Sequence, residues 1–219
     1  MKKDKTELVF ILDRSGSMQQ LTADTIGGFN STIEKQKKIE GECNVSLILF
    51  NDEVNTIYEN KNVNEINELD TDTYYAAGMT ALLDAVGMTI DKVGARLRET
   101  PENERPEKVI FVITTDGAEN SSKEYTTDRI KEMVSHQEEK YSWEFLFLGA
   151  NIDSFTTGSG YGFNSVNIAN YDPTQFGTQI LYQTVSDYVG RIRTDSSNAK
   201  TRHYTLSSVM EEQKQNSST

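Results

Sequence analysis

Asp13-Arg14-Ser15-Gly16-Ser17 gathers one carboxylate and two hydroxyls within five residues. Gly16, between the serines, supplies the backbone freedom that lets both hydroxyls turn to one side. A second acid, Asp116, stands in another small polar turn, Thr114-Thr115-Asp116-Gly117. These are hard oxygen donors, and hard oxygens around an octahedron suit magnesium, manganese or calcium. No imidazole or thiolate of the kind that zinc or copper favours accompanies them. His136 falls in a charged stretch and His203 far along the chain, and both read as surface residues. Cys43, the lone cysteine, opens an apolar run and reads as a buried thiol.

Both acidic turns end strongly apolar runs, Leu8-Val9-Phe10-Ile11-Leu12 and Val109-Ile110-Phe111-Val112-Ile113. Such runs predict central parallel strands buried on both faces. Val45 to Phe50 and Trp143 to Leu148 predict further strands, Val54 to Tyr58 an antiparallel edge strand, and Val166-Asn167-Ile168 a short edge one. Helical periodicity predicts helices over Leu21 to Ile39, Thr80 to Leu97, Thr127 to Lys140 and Pro173 to Ile192. The polar segment from Glu59 to Ala77 reads as a long surface connection.

This alternation predicts an α/β fold: a doubly wound, mostly parallel six-stranded sheet with one antiparallel edge strand and helices on both faces. In such sheets of order 3-2-1-4-5-6, ligands bind beyond the carboxyl ends of strands 1 and 4, where the order reverses. Strand 1 ends at Asp13 and strand 4 at Asp116, so that order would turn the two carboxylates into one crevice.

Asp13-Arg14-Ser15-Gly16-Ser17 resembles the Asp-x-Ser-x-Ser signature of the metal-ion-dependent adhesion site in von Willebrand factor A domains. Gly78-Met79-Thr80 resembles the family's Gly-x-Thr segment, and Thr115-Asp116-Gly117 its second acid. The resemblance implies a Rossmann-like domain over about residues 6 to 195. It also implies one divalent cation held by Asp13, Ser15, Ser17, Thr80 and Asp116, with the acids acting largely through water. Magnesium is the expected ion, with manganese or calcium as alternatives, and an Asp or Glu of a protein partner completes the shell. Neutral hydroxyls leave the ion electrophilic, so it gains from an external acid.

Neighbouring residues have plainer readings. Thr80 also suits a helix N-cap. Asp84 reads as an acid compensating the helix dipole. Glu119 and Asn120 read as a solvated turn, with support of the metal site as the alternative. Arg14 is expected to project outward at the rim, toward a partner or toward solvent. Met79 stands where many family members carry a second glycine. Gln19 and Gln20 replace the acids of an adjacent second metal site, so one ion is expected.

The length suits one large domain, expected over residues 1–195, followed by a polar, flexible tail over 196–219. The 34 Asp and Glu against 22 Lys and Arg oppose binding to nucleic acid or an anionic membrane. The apolar stretch after the N-terminal lysines is too short for a signal segment or a membrane span, which with the single cysteine points to the cytoplasm. The expected function is metal-dependent binding of a protein partner. The alternatives are a metal-dependent hydrolase or phosphatase with Asp13 or Ser15 as nucleophile, and a metal-free scaffold. The hydrolase lacks an Asp-x-Asp, a Gly-x-Ser-x-Gly elbow, a phosphate loop and a placed base.

Overall fold

In the computed structural model, which describes residues 1–150, 152–195 and 203–217, the chain runs β1 (Lys2–Asp13), α1 (Thr22–Gln36), β2 (Glu42–Phe50), β3 (Val54–Asn62), α2 (Leu82–Glu99), β4 (Pro106–Thr115), α3 (Thr127–Tyr141), β5 (Glu144–Gly149), α4 (Ser154–Gly160), β6 (Ile168–Asn170), α5 (Gln175–Thr194) and α6 (Leu206–Ser217). The six strands form one sheet in the order β3-β2-β1-β4-β5-β6. Only β3 runs antiparallel, paired with β2, and the expected topology is the one observed.

The twofold alternation of strand side chains divides the core into two layers. Leu8, Phe10 and Leu12 of β1, with Ile110 and Val112 of β4 and Leu146 and Leu148 of β5, meet α1, α5 and α6 on one face. Val9 and Ile11, with Phe111, Ile113, Phe145 and Phe147, meet α2 and α3 on the other. With helices over both faces, each central strand can be apolar at every position, and Leu8 to Leu12 are all fully buried. α1 and α5 cross closely at Gly28, where an added β-carbon would lie 2.1 Å from a ring carbon of Tyr182.

Several expected boundaries shift. β1 begins at Lys2, which pairs with Pro106 of β4, and β3 continues to Asn62, which pairs with Asn44 of β2. β6 starts at Ile168, since residues 165–167 form a 3-10 turn whose cap is the Asn164 side chain accepting from Val166 N. The segment expected to be a surface connection is anchored instead: Val63, Ile66, Leu69 and Tyr74 are buried in the first layer. Of the stretch expected as a tail, residues 196–202 and 218–219 lie outside the described ones. Leu206–Ser217 is a helix whose Leu206, Val209 and Met210 are buried against the first layer, spaced so that one face carries all three.

Glu7 is buried in the amino half of β1, where Arg96 of α2 donates to its carboxylate. Burial nonetheless raises the Glu7 pKa, with Arg96 opposing the shift. Arg96→Ala leaves that carboxylate without its cation and is expected to cost about 3 kcal/mol at pH 7. A carboxyl with a raised folded pKa loses stability as pH rises, so the deficit in urea unfolding should shrink at pH 5. An equal deficit at both pH values would show that Glu7 is not the group left behind.

Candidate metal centre

The carboxyl ends of β1 and β4 are adjacent, with Leu12 opposite Thr114, so Asp13 and Asp116 emerge beside one another. Asp13 is fully buried and heavily engaged. Its Oδ1 accepts from Ser15 N at 2.7 Å, and its Oδ2 accepts from Thr115 Oγ1 at 2.6 Å. Its backbone carbonyl accepts from the buried Tyr74 hydroxyl at 2.6 Å. Neither carboxylate oxygen can swing without breaking a bond to β4 or to its own turn.

The two serines sit as the turn requires. Ser15 Oγ and Ser17 Oγ are 3.1 Å apart, and Ser17 Oγ donates to Asp116 Oδ1 at 2.5 Å. Gly16 N donates to Gly78 O at 3.0 Å, tying this turn to the Gly78-Met79-Thr80 segment. Gly78 has φ of +80°, a left-handed conformation that a β-carbon would strain, and one placed there would also overlap Asp52 Oδ1. Met79, beside it, is exposed.

Thr80 is not the N-cap of its helix, because α2 begins at Leu82. The capping work is done from across the crevice, where Glu119 Oε2 accepts from Leu83 N at 2.9 Å and Ser122 Oγ accepts from Asp84 N at 3.0 Å. Thr80 itself is clamped by a reciprocal pair: its N–H donates to Asn120 Oδ1 at 2.9 Å, and Asn120 N donates to Thr80 O at 3.1 Å. The Thr80 hydroxyl has no hydrogen-bond partner among the described residues. A β-carbon added at Gly117 would lie 3.7 Å from both Ser17 Oγ and Thr80 Oγ1, so the two hydroxyls flank that glycine. The structure thus brings all five expected residues to one end of the sheet.

Four neighbouring residues differ from their sequence reading. Glu119 and Asn120 are not a solvated turn but the fasteners of the Thr80 segment. Asp84 does more than offset a dipole, since its carboxylate accepts from the backbone N–H groups of Lys123, Glu124 and Tyr125 at 2.8 to 2.9 Å and holds the loop after Asp116. Arg14 does not project outward, being only 4% exposed and lying against the ring of Tyr75. Tyr74, Asn51 and Thr115 escaped attention as supports. Asn51 bridges the loops through Ala77 O and Ala81 N. Thr115 alone had a visible signal, lying beside Asp116 at a strand end.

Burial raises the pKa of Asp13 to about 6 against the hydrogen bonds from Thr115 and Ser15, with the neighbouring Asp116 adding to the rise. Burial raises that of Asp116 as well, Ser17 opposing it. Two acids pressed together out of water, three hydroxyls beside them and one of these unpartnered form a donor set that fits a hard divalent cation. Among the described residues there is no group of three or more His, Cys, Asp or Glu that could hold a metal. The site therefore depends on hydroxyls.

A family model described as the von Willebrand factor type A domain matches residues 7–170. Comparison with curated proteins finds no match. Among solved structures, proximal thread matrix protein 1 of the mussel byssus, with a zinc-occupied metal-ion-dependent adhesion motif, is 14% identical with a TM-score of 0.57, over 84% of this chain and 46% of that one. Manganese-loaded TRAP of Plasmodium vivax is 16% identical with a TM-score of 0.56, over 82% of this chain and 73% of that one. The tip pilin Mfa5 domain of Porphyromonas gingivalis is 8% identical with a TM-score of 0.60, over 89% and 98%. The chain spans about half the length of the mussel protein.

A raised carboxyl pKa favours folding while the group is protonated, and that contribution is lost as pH climbs from about 4 to about 6. In chelator, wild type should therefore lose about 2–3 kcal/mol more between pH 4.5 and 7 than Asp13→Asn, read by thermal unfolding. Parallel profiles for the two proteins would refute the strained ionisation of Asp13.

Proposed function

The chain belongs to the von Willebrand factor type A domain family, and from that premise we propose that it is a binding module in which one divalent cation bridges the domain to an acidic side chain of a protein partner. Asp13, Ser15, Ser17, Thr80 and Asp116 hold the ion, with magnesium as the resident metal and manganese or calcium as substitutes. The observation that carries this reading is the balance of the donor set. Three neutral hydroxyls and two carboxylates offset a dication without adding a third charge, so the ion keeps affinity for one more anion. The mussel and Plasmodium proteins hold zinc and manganese respectively, which supports a divalent ion without deciding which one works here.

Binding of a protein is further supported by the surface around the crevice. Tyr75, Met79, Phe155 and Phe176 are exposed, and each lies in a segment beside the site or following the carboxyl end of a strand. Exposed aromatic and Met side chains around a charged centre are the composition of a protein interface. An acidic chain, at net charge −12, would repel an acidic partner everywhere except at a bound cation. That selects for docking at the metal. The same charge opposes binding to nucleic acid and anionic membranes, and among the described residues no helix is long and apolar enough to cross a membrane. A cytoplasmic setting is supported by the single thiol, Cys43, which is buried and has its pKa pushed up to about 11 by burial.

Calorimetric titration of chelator-treated protein with magnesium, manganese and calcium tests the site. Wild type should bind one equivalent. Asp13→Ala should abolish binding, and Thr80→Ala should weaken it at least about tenfold. Partners captured by immobilised wild type should be released by chelator and not retained by Asp13→Ala. Partners held equally with and without metal would point to a scaffold, and turnover of a generic phosphoester with magnesium or manganese would point to a hydrolase.

A further inference from the structure

Arg14 is the anomaly of the site. It directly follows Asp13 and directly precedes Ser15, its N–H donates to Phe50 O at 2.7 Å, and its carbonyl accepts from Ala77 N at 2.9 Å. Its backbone is therefore as fixed as that of its neighbours. The residue is only 4% exposed, yet its Nε finds no hydrogen-bond partner and no ion pair with an acid is seen for it among the described residues. Thirty-four acids in the sequence make this omission conspicuous. A buried guanidinium N–H without an acceptor is costly, and such groups are ordinarily satisfied. Its one contact of note is the face of Tyr75, 4.8 Å from ring centroid to Cζ. That ring is 53% exposed, so it forms the outer cover over the cation. A cation–π contact compensates for part of the desolvation and leaves the buried Nε without an acceptor.

We propose that Arg14 is a second anion-binding point beside the metal, and that the partner segment carries two carboxylates, one for the ion and one for Arg14, exposed when the Tyr75 ring turns aside. This rests on the metal-bridged reading given above and names the partner chemistry it requires: a diacidic segment. Arginine suits the task because its planar fork takes a carboxylate through two parallel hydrogen bonds, whereas the ion accepts a single oxygen. The arrangement also provides discrimination. A lone acid satisfies only the ion, while a diacid repays the desolvation already spent on Arg14.

The test uses the manganese-loaded protein and reads displacement of metal-bound water by proton relaxation as acetate, succinate, glutarate or adipate is added. At least one diacid should act at a concentration about tenfold lower than acetate, the gain expected of a charge-assisted fork. Arg14→Gln should bring that diacid to within the roughly twofold statistical advantage of having two carboxylates, with manganese and acetate affinities unchanged. Arg14→Lys, which keeps the charge and loses the fork, should also lose most of the preference and guards against a folding defect in the first variant. Diacids no better than twofold over acetate in wild type, or a preference that survives both substitutions, would overturn the role of Arg14 while leaving the metal-bridged reading intact. Failure of acetate to displace any water from the loaded wild type would instead bring down that reading, and this proposal with it.

Discussion

The hydrogen bond from Thr115 Oγ1 to Asp13 Oδ2 joins the ends of the two central strands, and the rest of the site is built outward from it. It forms where the sheet reverses, with β1 flanked by β2 on one side and β4 on the other. A carboxylate at this point leaves the apolar sheet but has not reached water, and its raised pKa measures that position. Holding it ionised requires donors on several sides, and the fold provides them from β4, from the following turn and, for the adjacent carbonyl, from Tyr74. The same enclosure that strains Asp13 would make it a strong partner for a cation.

Outward from this pair, the segment leading into α2 and the loop after β4 are fastened to each other. Glu119 and Asn120 reach across to the start of α2, while Asp84 reaches back to residues 123–125. The exchange is reciprocal, so neither loop can shift without releasing the other. This explains how Thr80 can present a hydroxyl without a hydrogen-bond partner at a site about a hundred residues of sequence could otherwise have blurred: its backbone is fixed on both sides by Asn120.

The sheet and the site were legible in the sequence for one reason. Runs such as Leu8 to Leu12 and Val109 to Ile113 carry their own burial, and a polar turn at the end of each announces where the crevice must lie. What was not legible depends on contacts distant in the chain. α4, Ser-Phe-Thr-Thr-Gly-Ser-Gly, has no apolar period and exists because Asp153 caps it and Gly158 packs against Phe147 and Ile168. α6 carries three buried residues among polar ones, and only the face left by α5 and β6 gives them a place. Glu119 looked solvated because nothing local shows that the first turn of another helix lies opposite it.

Arg14 illustrates the limit most sharply. Spacing fixes that it stands between two donors of the site, but whether its side chain enters water or turns inward depends on Tyr75, sixty-one residues later in the sequence. The outcome carries an energetic consequence that composition alone hides. A chain of net charge −12 would be expected to neutralise any buried cation from within, and at Arg14 it does not. Elsewhere the same protein pairs its buried charge, as Arg96 does for Glu7. The contrast between an ion pair at the amino end of β1 and a guanidinium that meets no acid among the described residues at its carboxyl end separates what holds the fold together from what the fold holds ready for a ligand.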